Sequence, residues 1–418
     1  MTFTLIFLAA LALSAATRCW LALRHIRHIR AHRDSVPAEF ADRVSLESHR
    51  KAADYSIAKT RLGHLGILVE TALLLAFTLG GGIEALSGWW VGLLGRGLWQ
   101  GAALILSVFA LSAVMELPLG YYRAFGIDAR FGFNKMTVAL FFTDLAKQVL
   151  LGLAVGIPLL LGILWLMGRM GAHWWLYVWL AWMAFNLLVL AIYPTFIAPL
   201  FNKFTPLADA TLKGQIEQLL QKCGFRAEGF YVMDGSRRST HGNAYFTGFG
   251  KSRRIVFFDT LLERLDHDEI VAVLAHELGH FKRRHIVKRI ALMAAMSLAG
   301  LGLLGWLMDQ TWFYHGLGVA TPGTAAGLLL FLLAMPVFTF LLQPLMSFYS
   351  RRHEFEADRY AADHASASDL VRALVKLYND NAATLTPDPL HSAFYDSHPP
   401  AAIRIAHLLS AGQAARHA

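Results

Sequence analysis

Cysteine and charged side chains are scarce in this chain of 418 residues, and each scarcity excludes a class of protein. The two cysteines, Cys19 and Cys223, cannot build a disulfide framework, so we expect both to be free thiols. Charged residues make up 16% of the chain against 56% hydrophobic residues, and the mean hydropathy is +0.45. This balance excludes an ordinary soluble domain. Internal repeats and low-complexity segments are also absent from the sequence.

Long apolar runs account for the high hydropathy. A bilayer core about 30 Å thick needs about 20 consecutive apolar residues in a helix. Runs of this length lie at roughly 3–23, 65–88, 98–118, 148–168, 174–194, 290–308 and 325–348. The sequence therefore predicts a mainly α, polytopic integral membrane protein with seven membrane helices.

The distribution of basic residues predicts the orientation in the membrane, because cytosolic loops carry the excess of Lys and Arg. The connection after the first run and the segments 119–147, 195–289 and 349–418 are basic, whereas the remaining loops hold only Arg96 and Arg169. We therefore expect the N-terminus outside and the C-terminus in the cytosol. The first run has its arginines after it, which favours a membrane helix over a cleaved signal peptide. The net charge of +9 then suits a lipid bilayer, and we expect no nucleic-acid partner.

A short motif carries the first sign of chemistry. His276, Glu277 and His280 form an HExxH pattern, which places two imidazoles one helical turn apart on the same face. Such a pair suits zinc, and Glu277 would act as the general base that takes a proton from water. Asp266, followed three residues later by Glu269, predicts the capped start of the helix that holds the motif. The alternative is a solvated helix face that binds no metal.

A catalytic zinc needs a third protein ligand, and Glu354 is the candidate. Asp358 lies one turn further along and would accept a hydrogen bond from a ligand histidine. His285 lies about 140° around the helix from His280, so we reject it as a ligand and expect a surface histidine. Glu356 points about 200° away from Glu354, so we expect a solvated charge.

The spans and motifs divide the chain into four parts. Residues 1–200 hold membrane helices 1 to 5 with their cytosolic loops, 201–289 a soluble catalytic segment, 290–348 membrane helices 6 and 7, and 349–418 a cytosolic C-terminal segment with the third zinc ligand. Within the soluble segment we expect a zincin-like α+β arrangement, with a helix at 209–223, strands at 229–233, 244–247 and 255–258, and a turn at 248–250. An edge strand beginning at Asn243, Ala244 and Tyr245 would bind substrate by strand addition, unless it is an ordinary hairpin strand.

Several motifs in order resemble one known family. They are RFGFNKMT (130–137), PLFNKFTPL (199–207), GNAYF (242–246), HELGH (276–280), the run 350–358 and SHPP (397–400). Together they span nearly the whole length, and FGFNK and PLFNKFTPL are more specific than HExxH. The chain is similar to the Ste24-type CAAX prenyl proteases, which are zinc metallopeptidases of the M48 family.

This resemblance implies seven membrane helices that enclose a chamber, with one zinc ion per chain near its cytosolic end. It implies that His276, His280 and Glu354 bind the zinc and that Glu277 activates water. It further implies that Asn243 contacts substrate, that His398 stabilises the oxyanion, and that Arg404 orients the site. From the residues alone, a helix-entry residue before two prolines is the alternative for His398, and it is less favoured than the catalytic role.

The function implied is hydrolysis of peptide bonds near the C-terminus of membrane-associated or prenylated (CAAX) substrates. One alternative is a membrane-protein quality-control peptidase without a prenyl requirement, and another is a zinc-containing transporter. For a transporter, Glu70 would be a polar group inside the membrane, although a snorkelling side chain at the interface explains it equally well. The sequence gives no indication of an oligomeric state.

Overall fold

The computed structural model describes residues 1–247 and 254–416, which are mainly helical. Seven helices in this part of the chain are long and apolar enough to cross a membrane. Large apolar side chains such as Leu150, Leu180 and Leu188 are exposed on them, as expected for surfaces that face lipid. The first half of the chain comprises α1 (Thr2–His32), α2 (Leu46–Phe77), α3 (Gly82–Leu94), α4 (Leu98–Tyr121), α5 (Val138–Arg169), α6 (Trp174–Ile192) and α7 (Ala198–Phe201).

The second predicted span, 65–88, is wrong at its C-terminal end. Helix α2 starts far earlier, at Leu46, and ends at Phe77. Three glycines follow, and Gly81 adopts a left-handed backbone with φ 76°, which only glycine reaches without strain. Helix α3 then begins anew, and its 13 residues span only about 20 Å, too short to cross a bilayer.

A small sheet and three helices follow α7. The elements are β1 (Phe204–Pro206), α8 (Ala210–Lys222), β2 (Gly229–Met233), β3 (Ala244–Thr247), β4 (Arg254–Phe258), α9 (Asp259–Leu262) and α10 (His267–Lys282). The strand order is β1-β2-β4-β3, in which β2 and β4 are parallel and the outer pairs antiparallel. The helix and three strands expected here are present, whereas β1 was not predicted. The turn predicted at 248–250 lies outside the described residues.

The C-terminal third comprises α11 (His285–Leu307), α12 (Thr311–Gly316), α13 (Thr324–Thr339), α14 (Gln343–His364), α15 (Ala367–Asp380), α16 (Pro389–Tyr395) and α17 (Ala401–Arg416). One 3-10 turn, Phe340–Leu342, joins α13 to α14. The last membrane helix therefore continues into α14, which carries Glu354. The boundary predicted between 348 and 349 falls inside this helix.

A hydrophobic core outside the membrane helices joins segments that are far apart in sequence. Phe40 and Val44, from the connection between α1 and α2, pack in the same cluster as residues of α8, α10, α15 and α17. At the other end of α1, the ring of Phe3 lies 4.8 Å from that of Trp312 on α12. The connection after α1 and the helix α10 therefore lie at the same end of the molecule, and α12 lies at the opposite end.

Candidate active site

Helix α10 carries the HExxH residues and begins with the expected capping box. Asp266 accepts a hydrogen bond from the backbone of Glu269, and the Glu269 side chain accepts one from the backbone N–H of Asp266. Lys376 on α15 donates to both carboxylates, at 3.0 and 2.8 Å. The capping box satisfies two backbone N–H groups at the start of the helix and fixes where the helix starts.

Helix α14 packs closely against α10 at Gly279. A Cβ atom at this position would lie 2.9 Å from the Cα atom of Ala357 and 3.0 Å from its carbonyl oxygen. Such contacts are too short for any side chain, because the neighbour is backbone and cannot move aside. The glycine between the two histidines therefore allows the close approach that brings Glu354 to them.

Three side chains on α10 and α14 converge on one point. His276 Nε2 lies 3.1 Å from His280 Nε2, and Glu354 Oε2 and Oε1 lie 3.5 and 3.3 Å from these two nitrogens. A tetrahedral zinc with bonds of about 2.0–2.1 Å separates its ligand atoms by about 3.3 Å. Within the described residues, Glu354 Oε2 is buried and has no hydrogen-bond partner. The donor set therefore fits a metal with three protein ligands and an open fourth position.

Asp358 and Arg404 support the other side of His276. Asp358 Oδ1 lies 2.8 Å from His276 Nδ1, and Arg404 donates to both oxygens of Asp358 at 2.7 Å. All three side chains are buried. Burial and the charge of Arg404 lower the pKa of His276, but hydrogen bonds to Asp358 and Glu354 outweigh them and raise it to about 9. Asp358 likewise keeps the pKa of Arg404 above its ordinary value despite burial.

The two predicted catalytic residues adjoin this cluster, Glu277 in the sequence and His398 in space. Glu277 is half-buried on α10, and among the described residues it has no hydrogen-bond or ion-pair partner. His398 lies just before α17, and its Nε2 atom is 3.6 Å from Glu354 Oε2. Its side chain is 63% exposed, so it is open to a ligand.

Strand β3 lies at one edge of the sheet and against α10. Asn243 accepts a bond from Phe258 through its backbone oxygen, and its side-chain oxygen accepts one from the N–H of Ala244. Because hydrogen-bonded positions alternate in an antiparallel pair, Ala244 and Phe246 direct their backbone groups away from β4. The edge is therefore able to pair with an extended peptide.

Two expectations about neighbouring residues were wrong. His285 is not a surface histidine: it is buried, and its Nδ1 atom lies 3.0 Å from Nδ1 of His280. Glu356 is not simply solvated, because its Oε2 atom lies 3.0 Å from His285 Nε2. The chain bends at Arg284, where φ is 57°, so His285 does not continue the geometry of α10. The bend lies in a segment without Gly or Pro, so the sequence carries no signal for it.

A cavity of about 1370 Å³ lies between the membrane helices. Its walls are mainly apolar side chains of α4, α5, α6, α11 and α13, and its lining also includes His353 and Ser397, the neighbours of Glu354 and His398. A second cavity, of about 710 Å³, shares Tyr395 with the first. Glu70 lines the second cavity, where it forms an ion pair of 2.8 Å with Arg18. Its carboxylate is therefore paired at the wall of this cavity.

Two family models match consecutive parts of the chain. The model described as CAAX prenyl protease N-terminal, five membrane helices, matches residues 25–203, and the model of peptidase family M48 matches residues 206–411. The chain belongs to the M48 metallopeptidase family. Membership implies a metal, typically zinc, and the group of His276, His280 and Glu354 is able to hold one. The chain is accordingly an integral, multi-pass membrane metallopeptidase.

Relatives within the family are similar over most of their length. The CAAX prenyl protease 1 homolog of Caenorhabditis elegans is 33% identical, covering 96% of this chain and 97% of that protein. CAAX prenyl protease 1 of Saccharomyces cerevisiae is 34% identical, covering 88% and 87%. The crystal structure of S. mikatae Ste24p is similar with a TM-score of 0.90 and 32% identity, covering 98% of this chain and 99% of that one.

Proposed function

We propose that this chain is a membrane-embedded zinc endopeptidase that hydrolyses peptide bonds near the C-terminus of prenylated (CAAX) substrates. The observation that carries the proposal is the convergence of His276, His280 and Glu354 on one point. Glu277 follows His276 on the same helix, and His353, which precedes Glu354, lines a cavity between the membrane helices. Relatives that carry the name CAAX prenyl protease 1 support the substrate class. The single cluster of this kind among the described residues supports a stoichiometry of one zinc ion per chain.

Each residue at the cluster has its own proposed role in hydrolysis. Zinc held by His276, His280 and Glu354 would polarise the scissile carbonyl and lower the pKa of a water molecule toward neutrality. Glu277 takes the proton of that water and passes it to the leaving amine. His398 donates a hydrogen bond to the oxyanion as charge develops there.

The edge of β3 is the proposed site of peptide recognition. The carbonyl of Ala244 and the N–H of Phe246 are directed away from β4, so an extended backbone is able to bond to them as an added strand. Asn243 and Tyr245 flank this edge and contact the same peptide. Because main-chain bonds are independent of side chains, this mode accepts varied sequences.

The cavity is the proposed chamber for the lipid part of the substrate. Its apolar lining suits an isoprenyl chain, since each buried CH₂ contributes about 0.8 kcal/mol. His353 and Ser397 line the cavity and directly precede Glu354 and His398 in the sequence, so a peptide attached to the lipid would have a short path to the metal. A prenyl group therefore adds binding energy that an unmodified peptide lacks.

We place the N-terminus outside and the active site and C-terminus in the cytosol. The basic connection after α1 supports this orientation, because cytosolic loops carry the excess of Lys and Arg. Phe40 and Val44 of that connection pack in the same core as α10, which puts the metal cluster on the same side.

The test is to incubate purified, zinc-loaded protein with a prenylated C-terminal peptide and its unprenylated twin, and to follow cleavage by mass spectrometry. We expect faster cleavage of the prenylated peptide and none of either by the Glu277→Ala variant. Equal rates for the two peptides would show that the prenyl group is not required and would favour a general membrane-peptide peptidase. If neither peptide nor a range of membrane-protein fragments is cut, the chain is not an active peptidase.

A further inference from the structure

The connection between α10 and α11 turns the chain back toward the metal cluster. Helix α10 ends at Lys282, and Arg284 adopts a left-handed backbone with φ 57° and ψ 34°. A residue with a Cβ atom rarely occupies this region, and such strain often occurs at functional sites. The consequence of the bend is that His285, the first residue of α11, comes to lie beside His280.

His280, His285 and Glu356 form a hydrogen-bond network. His280 Nδ1 lies 3.0 Å from His285 Nδ1, and His285 Nε2 lies 3.0 Å from Glu356 Oε2. The His285 side chain is only 3% exposed. Its ring stacks on that of His353 at 4.0 Å, which fixes the plane of the imidazole.

The proton positions in this hydrogen-bond network follow from which ring nitrogen of His280 faces His276 and Glu354. Its Nε2 atom points at His276 and Glu354, so a neutral His280 that binds a metal there carries its proton on Nδ1. That N–H donates to Nδ1 of His285, which must then carry its own proton on Nε2. The Nε2–H of His285 donates to the carboxylate of Glu356, so each ring nitrogen of the two histidines is a ligand, a donor or an acceptor.

We propose that His285 and Glu356 are positioning residues that hold His280 in the tautomer and ring orientation which the metal requires. The proposal rests on the metal centre proposed above. It gives each histidine ligand its own support, since Asp358 contacts His276 and the His285–Glu356 pair contacts His280. Ligand histidines in metal sites commonly donate their second ring nitrogen in this way.

Helix α14 supplies a carboxylate to each of these supports as well as the third ligand. Glu354 and Asp358 lie one turn apart and face α10, while Glu356 lies about 200° around the helix and meets His285 at the start of α11. Lys288 and Arg352 lie 3.6 and 3.4 Å from the Glu356 carboxylate. These cations keep the carboxylate charged and hence a strong acceptor.

The test measures the zinc Kd by competition with a chelator, using the full-length protein in detergent. The variant His285→Phe keeps a ring that stacks on His353 but cannot bond to His280, and we expect its zinc Kd to rise about 10- to 100-fold. His285→Gln offers an acceptor and a donor in one side chain, so we expect it to recover part of the affinity. The control His315→Phe replaces an exposed histidine on α12 and should leave the Kd unchanged.

Glu356→Gln removes the charge of the carboxylate that His285 contacts. This variant also tests the proposal if His285→Phe does not fold. We expect a smaller rise in Kd from Glu356→Gln, and no further rise when it is added to His285→Phe, because the two groups act through one contact. A wild-type zinc Kd in both single variants would overturn the proposal, as would full additivity in the double variant. These readouts need no peptide cleavage, so they are separate from the test of the proposed activity.

Discussion

Arg404 donates two hydrogen bonds of 2.7 Å to Asp358, and Asp358 in turn lies 2.8 Å from Nδ1 of His276. Because the arginine is on α17 and the aspartate on α14, one buried ion pair connects the C-terminal helix to the proposed metal-binding residues. Because Arg404 presents a planar fork that matches a carboxylate, lysine is a poor replacement here. The C-terminal segment is thus part of the site.

Removing Arg404 should destabilise both the fold and the metal cluster. In Arg404→Met the buried Asp358 carboxylate loses its arginine and keeps only His276 as a partner, and breaking buried ion pairs costs about 3–5 kcal/mol. We expect a lower thermal unfolding temperature and weaker zinc binding. The matched control is Arg50→Met, because Arg50 pairs with the exposed Asp34 and such pairs contribute about 0–1 kcal/mol. Equal unfolding temperatures for the two variants would contradict this prediction.

Adding a single methyl group at Gly279 should disturb the cluster from within the HExxH motif. The Cβ atom of Gly279→Ala meets the backbone of Ala357, so α10 and α14 must move apart and Glu354 must withdraw from the histidines. We expect a loss of stability of about 1–3 kcal/mol and a higher zinc Kd. Thermal unfolding and chelator competition measure the two effects.

Gly214→Ala is the matched control for Gly279→Ala. Gly214 lies in α8, and a Cβ atom there meets nothing within 4 Å. Since alanine favours helices over glycine by about 0.5–1 kcal/mol, the control should be as stable as the parent protein or slightly more stable. A Gly279→Ala protein with unchanged zinc affinity would show that the helix spacing does not position Glu354.

The features that the sequence predicted well depend on local spacing. The i, i+4 relation of His276 and His280, the capping box at Asp266 and the strands β2 and β3 are set by residues a few positions apart. Apolar runs likewise predicted the membrane helices, because length and composition decide whether a helix can cross a bilayer.

The features that the sequence did not predict depend on distant or strained backbone. The bend at Arg284 has no Gly or Pro to mark it, so His285 was assigned to the surface. Glu356 meets His285 across 71 residues of chain, which no periodicity within one helix indicates. The break at Gly81 was missed because hydropathy continues smoothly from α2 into α3.

Asn243 offers a test of the edge strand that leaves the metal untouched. In Asn243→Ala the N–H of Ala244 loses its side-chain partner, and a substrate loses a proposed contact. One hydrogen bond of about 1–1.5 kcal/mol corresponds to a fall in kcat/KM of about tenfold, while zinc Kd should not change. The control is Thr205→Ala on β1, which is the opposite edge of the sheet. Equal falls for both variants would argue against strand addition at β3.

Asp388 links the end of α1 to the segment that carries His398. It caps α16 by accepting bonds from Leu390 and His391, and it pairs with Arg24. Burial raises the pKa of this carboxyl, but the backbone bond from His391 and the ion pair with Arg24 outweigh burial and hold it below the ordinary value. The stabilisation is therefore fully present above about pH 4 and is lost as the pH falls through the lower folded-state pKa.

The variant Asp388→Asn keeps the shape of this cap but removes its charge. Because Asn caps a helix about as well as Asp, only the charge is lost, and we expect a loss of about 0.3–1 kcal/mol at pH 7. We also expect a weaker dependence of the unfolding temperature on pH between about 5 and 3. Thermal unfolding at several pH values measures both effects. Parallel pH curves for the variant and the parent protein would show that another group governs the acid response.

Glu277 and Glu354 should separate catalysis from metal binding. Glu277→Gln removes the proposed general base but none of the three converging side chains, so we expect a fall in kcat of at least 10²-fold with the zinc content unchanged. Glu354→Gln removes a charged ligand, so zinc content should fall together with activity. Activity and bound metal are measured on the same preparations. If Glu277→Gln lost zinc while Glu354→Gln kept it, the roles assigned to the two glutamates would have to be exchanged.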